Sequence, residues 1–139
     1  MKTSVTVETV IAAPIEKAWA CWTEPEHITH WNFASDDWYA PSATNDLQVG
    51  GRFSYRMEAR DGSAGFDFSG TYTAVEERQR IEYVMDGEDA RKASVEFAVH
   101  PDGCRVIETF ETEETNPIEL QRLGWQAILD NFKKHVLAA

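Results

Sequence analysis

No apolar run in the chain approaches the roughly 18 residues that a bilayer-spanning helix needs, and the first residues are charged and β-branched, unlike a signal peptide. Membrane insertion is not expected, and the default compartment is the cytoplasm. Cysteine is scarce: Cys21 and Cys104 stand alone, far apart and outside any C-x-x-C pair. That pattern indicates neither a disulfide framework nor a zinc site, and both read as buried or partly buried thiols. Positive charge is scarce as well. Thirteen Lys and Arg against 24 Asp and Glu leave a formal net charge of −11, which repels phosphate backbones and anionic membrane surfaces and argues against a nucleic-acid partner. Missing too are a G-x-S-x-G nucleophile, a Gly-rich phosphate loop and an H-E-x-x-H pair. His27 and His30, at i and i+3 near Asp36 and Asp37, have no second ligand cluster beside them in the sequence, so no metal and no cofactor is expected.

What the chain does have is apolar and aromatic mass. At 139 residues, 42% hydrophobic and with five tryptophans, it is long enough for one domain with a sizeable core, taken as residues 1–139, and is no disordered acidic tail. The longest periodic stretch is residues 116–137. At 100° per residue Ile118, Trp125, Ile128, Leu129, Phe132 and Val136 form one stripe, opposite Glu119, Arg122, Gln126, Asp130 and Lys133. Such a stripe needs a surface to lie on. Asn116 can cap this helix, Pro117 suits its first position and Glu119 sits where a capping-box acid belongs.

Upstream, residues 3–11 are rich in β-branched side chains and suit a first strand. Pro14 opens a short helix with Ile15, Ala18, Trp19 and Trp22 on one face, and Thr23 with Glu26 forms a capping-box signal that restarts it as far as about His30. Periodicity then fails from Trp31 to Gly51. Trp31, Phe33, Trp38 and Tyr39 alternate there with polar residues, which reads as a long loop with a short strand near residues 43–46. A loop of this length either forms a rim or lid or packs its aromatics onto the core. Beyond Gly50-Gly51 the strands are well marked. Phe53, Tyr55, Met57 and Ala59 alternate with polar residues, as do Phe66, Phe68, Gly70, Tyr72 and Ala74, then Ile81, Tyr83 and Met85, then Val95, Phe97 and Val99. Asp61-Gly62, Asp86-Gly87 and Asp102-Gly103 turn the chain between them, and residues 104–113 complete an antiparallel meander. The fold class is α+β.

This order resembles the helix-grip, START-like fold of the SRPBCC superfamily and is most similar to the family of the activator of the HSP-90 ATPase (AHSA). The resemblance rests on Ala13 to Trp19 with Trp22 to Glu26, Gly50-Gly51-Arg52-Phe53, the Asp61-Gly62 turn, Gly70-Thr71-Tyr72, Arg80 to Tyr83, Gly124-Trp125 and Leu129 to Lys133. It implies a curved antiparallel sheet of six or seven strands gripping the C-terminal helix, with a cavity between them that takes apolar or aromatic small molecules. Relatives include lipid and hormone carriers, polyketide cyclases and co-chaperones. The resemblance therefore implies a ligand-binding protein without a defined reaction, or a stress-response module that stimulates an HSP-90 type ATPase as a chaperone partner, or a cyclase-like enzyme. In one departure Asn32 follows Trp31, where relatives continue with further aromatics.

The candidate cavity residues are Trp22, Phe53, Tyr55, Phe66, Phe68, Tyr72, Tyr83 and Phe97, with Trp125 and Ile128 from the helix. Glu108 depends on register. If Val106 and Phe110 face the helix, Glu108 lies between them on the apolar face and is the one candidate for acid–base work; a one-residue slip turns it to water. Gln121 interrupts the helical stripe, and Gly124, at its edge, costs a helix roughly 1 kcal/mol relative to alanine. Close packing or a ligand would account for that glycine.

Overall fold

The computed structural model describes residues 3–139. The element order is β1 (Ser4–Ile11), α1 (Ile15–Thr23), α2 (Pro25–Ile28), β2 (Trp38–Asn45), β3 (Arg52–Ala59), β4 (Gly65–Glu76), β5 (Arg80–Met85), β6 (Lys92–His100), β7 (Gly103–Glu111) and α3 (Ile118–Ala138). One seven-stranded antiparallel sheet runs in the order β1-β7-β6-β5-β4-β3-β2. Only β1 stands outside the sequential meander: it pairs with β7 at one edge, and α1 and α2 carry the chain from it to β2 at the other. α3 packs most closely on β1 and α1, with Leu129, Phe132 and Val136 fully buried beneath it.

Bulges give the sheet its curl. In β4 the pairing slips between Tyr72 and Ala74, and the extra residue turns the strand. This changes which side chain faces inward. Alternation predicts Ala74, but past the bulge it is Val75 that packs on the core. A second slip falls between Tyr39 and Ser42, at Pro41. A proline has no N–H for a ladder and is tolerated on an edge strand at a bulge, which is how β2 sits. The short strand expected near residues 43–46 is thus the end of a longer one, Trp38–Asn45; residues 38–42 are strand where the sequence reads as loop, and Trp38 and Tyr39 belong to the sheet. The alternation of β6 also overruns: Val99, at the hairpin end of the strand, is 84% exposed.

The helix starts differ in detail from the capping signals. Thr23 does not cap α2; its hydroxyl donates to the Trp19 carbonyl at 2.8 Å, and Pro25 occupies the first turn. α3 begins at Ile118 with Pro117 as its N-cap residue and no side-chain cap, so Asn116 does not cap it; instead a side chain from the first turn ties down the segment that leads into the helix. Gln121 donates from Nε2 to the carbonyls of Glu113 (3.0 Å) and Asn116 (2.8 Å) and accepts the Glu113 N–H at 2.9 Å.

Gly124 is not a close-packing position. A Cβ built there meets no heavy atom within 4 Å. Gly124→Ala is therefore expected to raise stability by about 0.5–1 kcal/mol through helix propensity alone, read from urea unfolding; a loss would mean that a neighbour needs the space.

Candidate functional site

Between the concave face of the sheet and α3 lies an apolar cavity of about 230 Å³. The sheet provides most of its wall: Phe53, Tyr55 and Met57 from β3, Phe66, Phe68 and Tyr72 from β4, Ile81, Tyr83 and Met85 from β5. The helical side contributes Trp22 at the end of α1, Trp31 and Asn32 after α2, and Trp125 and Ile128 from α3. Glu108 of β7 and Arg91 from the turn before β6 complete the lining.

Strand alternation explains the sheet wall. Phe53 is the centre of an aromatic group, with ring centroids 5.0 Å from both Tyr55 and Tyr83, 5.3 Å from Tyr72 and 5.6 Å from Phe68. Gly70 makes room for it. A Cβ there would sit 2.5 Å from the Val84 carbonyl oxygen and 3.0 Å from the Phe53 ring, so the strands can close around the ring only without a side chain at this position. On the helical side Trp125 stacks on Phe110 with centroids 4.1 Å apart and planes 6° from parallel.

The Tyr72 hydroxyl is tied into the frame. Tyr72 donates to Asn45 Oδ1 at 2.5 Å, and Asn45 Nδ2 donates to the Thr23 carbonyl at 2.7 Å. Burial pushes the Tyr72 phenol up to about 12 and those of Tyr55 and Tyr83 well above their ordinary value, so all three are neutral donors and acceptors. The indole N–H of Trp31 donates to the Cys21 carbonyl at 2.9 Å.

Two polar groups in the wall are left without such ties. Glu108 is 5% exposed, directly opposite Val7 of β1 and Val95 of β6. Val106, Glu108 and Phe110 all point inward, which resolves the register question. Burial raises its carboxyl from 4.5 to about 8, so at neutral pH it is mostly the uncharged acid. Among the described residues no side chain hydrogen-bonds it. Asn32, 4% exposed, has an Nδ2 with no hydrogen-bond partner. Buried polar groups are nearly always paired, so these two mark the polar part of the cavity. Arg91 is ion-paired with Asp89 at 3.0 Å.

Of the residues singled out from sequence, Trp22, Phe53, Tyr55, Phe66, Phe68, Tyr72, Tyr83, Glu108, Trp125 and Ile128 meet around this one space. Phe97, Gln121 and Gly124 lie outside it. Phe97 packs edge-on against Trp19 and Trp22 at 5.2 and 6.0 Å, and Gln121 is engaged at the start of α3. Of the rim residues, Trp31 is 2% exposed and forms wall, not lid. Phe33 is half-buried and its carbonyl accepts the Asn131 side chain at 2.6 Å. Trp38 meets Phe66 edge-on at 5.8 Å, and Tyr39 donates to Glu58 at 3.2 Å. Asn32, Met57, Ile81, Met85 and Arg91 were not among the sequence candidates. The alternation already placed Met57, Ile81 and Met85 inward and could have included them; Asn32 was marked only as a departure after Trp31, and nothing local marked Arg91.

A curled antiparallel sheet gripping one long C-terminal helix, with two short helices after the first strand, defines a helix-grip protein of the START-like, SRPBCC class. Within that class the chain belongs to the family described as Activator of Hsp90 ATPase homolog 1-like protein, whose model matches residues 12–136. The solution structure of an AHSA1-like protein from Aeromonas hydrophila is 46% identical over 98% of this chain and 93% of its own, with a TM-score of 0.91. A protein from Cytophaga hutchinsonii is also 46% identical, over 96% and 90% of the two chains, with a TM-score of 0.78. A protein from Nitrosomonas europaea, 19% identical over 97% and 94%, shares the fold at a TM-score of 0.83. No functionally curated protein matches the chain. No helix of the described residues is long and apolar enough to cross a membrane.

Proposed function

We propose that the protein binds a small aromatic or apolar molecule in the cavity between sheet and α3, and that it does so in the cytoplasm. The observation that carries this reading is a wall that is aromatic and aliphatic apart from Arg91 and two buried polar groups, Glu108, which no side chain among the described residues hydrogen-bonds, and Asn32, whose Nδ2 has no partner. Few convergent polar groups in an apolar cleft are the usual composition of a small-molecule site. An apolar cavity of about 150 Å³ takes benzene; at about 230 Å³ this one takes a substituted ring or two fused rings. At neutral pH the protonated Glu108 and the Asn32 amide both offer hydrogen to the ligand. The preferred ligand therefore carries an acceptor, such as a carbonyl, on its aromatic body.

Thermal shift with a set of small aromatics, each parent hydrocarbon paired with its carbonyl derivative, tests this. The carbonyl compounds are expected to raise Tm more than the hydrocarbons. Asn32→Leu is expected to weaken them by about 0.5–1.5 kcal/mol, the worth of one hydrogen bond. Ile128→Trp, which fills the space from the helix side, is expected to stay folded and lose the shift. A set in which no compound raises Tm at high concentration overturns the reading.

The same carboxyl favours a second reading, acid–base work on a bound molecule in the manner of a cyclase. An acid poised near neutral pH can both give and take a proton. Turnover of a bound ligand that disappears in Glu108→Gln while binding persists would support it; unchanged ligand recovered after long incubation counts against it.

A further inference from the structure

Outside the cavity wall, three side chains from three helices converge. Cys21 of α1, His27 of α2 and His135 in the last turn of α3 place one donor atom each so that no two are more than 4.8 Å apart. His27 Nδ1 faces His135 Nε2 at 2.9 Å, with the rings edge-on at 5.1 Å and 62°. The thiol is free and 1% exposed, while both imidazoles are half-buried and reach the surface. His30 stacks on the outer side of this pair, its ring 3° from parallel with that of His135 at 5.3 Å.

We propose that Cys21, His27 and His135 form a three-ligand site for a borderline-soft divalent metal, zinc(II) in the first instance, which pins α1 and α2 to the end of α3. The donor set is the argument. One thiolate and two imidazoles match zinc's preference, and three protein ligands leave a fourth position for water. With Zn–S near 2.3 Å and Zn–N near 2.0–2.1 Å, tetrahedral donors stand roughly 3.3–3.7 Å apart. The observed separations bracket that distance, so small side-chain rotations close the site. Each imidazole binds as the neutral ring, His27 through Nδ1 and His135 through Nε2, with its proton on the other nitrogen. The thiol gives up its proton to solvent on coordination.

The position suggests what the metal does. Cys21 precedes Trp22 and its carbonyl holds the Trp31 indole, so a metal at Cys21 stiffens the helical wall of the cavity without touching its lining. Sequence spacing hides the site, because His27 and His135 stand 108 positions apart.

The test is to titrate chelator-treated full-length protein with cobalt(II) and then zinc(II). One equivalent of cobalt should give a thiolate-to-metal charge-transfer absorption with the visible bands of a tetrahedral site, both abolished by zinc, and zinc should raise Tm. Cys21→Ser should lose the charge-transfer band. His27→Gln and His135→Gln should each lower zinc affinity by more than the roughly 10–100-fold that follows loss of an outer-shell partner. His100→Gln and Cys104→Ser, the remaining histidine far from the cluster and the other thiol, should bind as the parent does. Should Cys21→Ser fail to fold, His27→Gln at its half-exposed position decides. Cobalt bound without a thiolate band, affinity falling equally in His100→Gln, or no change in Tm with zinc overturns the proposal. The metal site shares no lining residue with the cavity, so its failure leaves the ligand-binding reading standing, and the reverse.

Discussion

Glu108→Gln is expected to be more stable than the parent protein by about 4 kcal/mol at pH 8, about 3 kcal/mol at pH 7 and less than about 1 kcal/mol at pH 5. The sign follows from the direction of the shift. Burial raises the folded-state carboxyl from 4.5 to about 8, so between those values the folded state holds a proton that the unfolded state has released. Stability therefore falls as pH rises from about 4.5, and the loss is complete once pH passes about 8. Glutamine has the shape of the neutral acid and no proton to hold, so it removes this dependence. Urea unfolding of both proteins from pH 5 to pH 9 measures the difference, which corresponds to roughly 10–20 °C in Tm at pH 8 for a chain of this length. A difference that stays constant with pH would mean that Glu108 is ionised and paired, and would remove the acid from the proposed site.

A gain of that size from one conservative change identifies a residue that the fold does not need. The groups facing Glu108 explain the penalty: Val7 and Val95 on the neighbouring strands, and the Tyr83 phenol, whose own shift Glu108 reinforces. No cation faces it. A core position selected for stability alone would carry an aliphatic residue there, as 106 and 110 do with Val106 and Phe110. Local departures from good packing of this kind concentrate at functional sites.

How much of this was legible in the sequence depends on whether local pattern or tertiary contact decides a residue's place. The α3 stripe from Trp125 to Val136, the alternation of β3 and β5 and the Asp-Gly turns are local, and they appear in the structure where the pattern puts them; Ile118, which the stripe also included, is 41% exposed because the first turn of α3 has no sheet beneath it to cover that face. Residues 38–42 failed because Pro41 and the polar residues around it suppress strand signal, while the edge position and bulge that tolerate them are properties of the sheet. Ala74 failed because a bulge shifts the inward residue by one, which alternation cannot register. Gln121 sits on the apolar stripe, yet its amide is satisfied by the backbone of Glu113 and Asn116, a local arrangement that a helical wheel does not represent. Asn32 stood out in the sequence as a departure from its relatives; its place in the cavity wall, with an unpaired amide, is set by how Trp31 is buried. Cys21 and His135 had no local signal at all.

Phe132→Ala is expected to cost about 3–5 kcal/mol and to lower Tm by roughly 10–20 °C. Phe132 is fully buried and meets two tryptophans edge-on, Trp22 at 4.9 Å and 77° and Trp31 at 4.9 Å and 70°, while those two stand 4.8 Å from each other. Truncation removes the group against which both indoles rest, and the space cannot close without moving α1 or the segment after α2. Since Trp22 and Trp31 are also cavity wall, the change should loosen the site as well as the core, so a ligand that stabilises the parent should bind the variant more weakly even at temperatures where it is fully folded. Trp125→Ala separates the two effects. Trp125 is only partly buried, so its removal should cost less stability, yet it takes away the aromatic face that α3 presents to the cavity. If Phe132→Ala instead binds ligand as tightly as the parent, the helical wall is held by α1 alone, and the grip of α3 is a matter of stability rather than of the site.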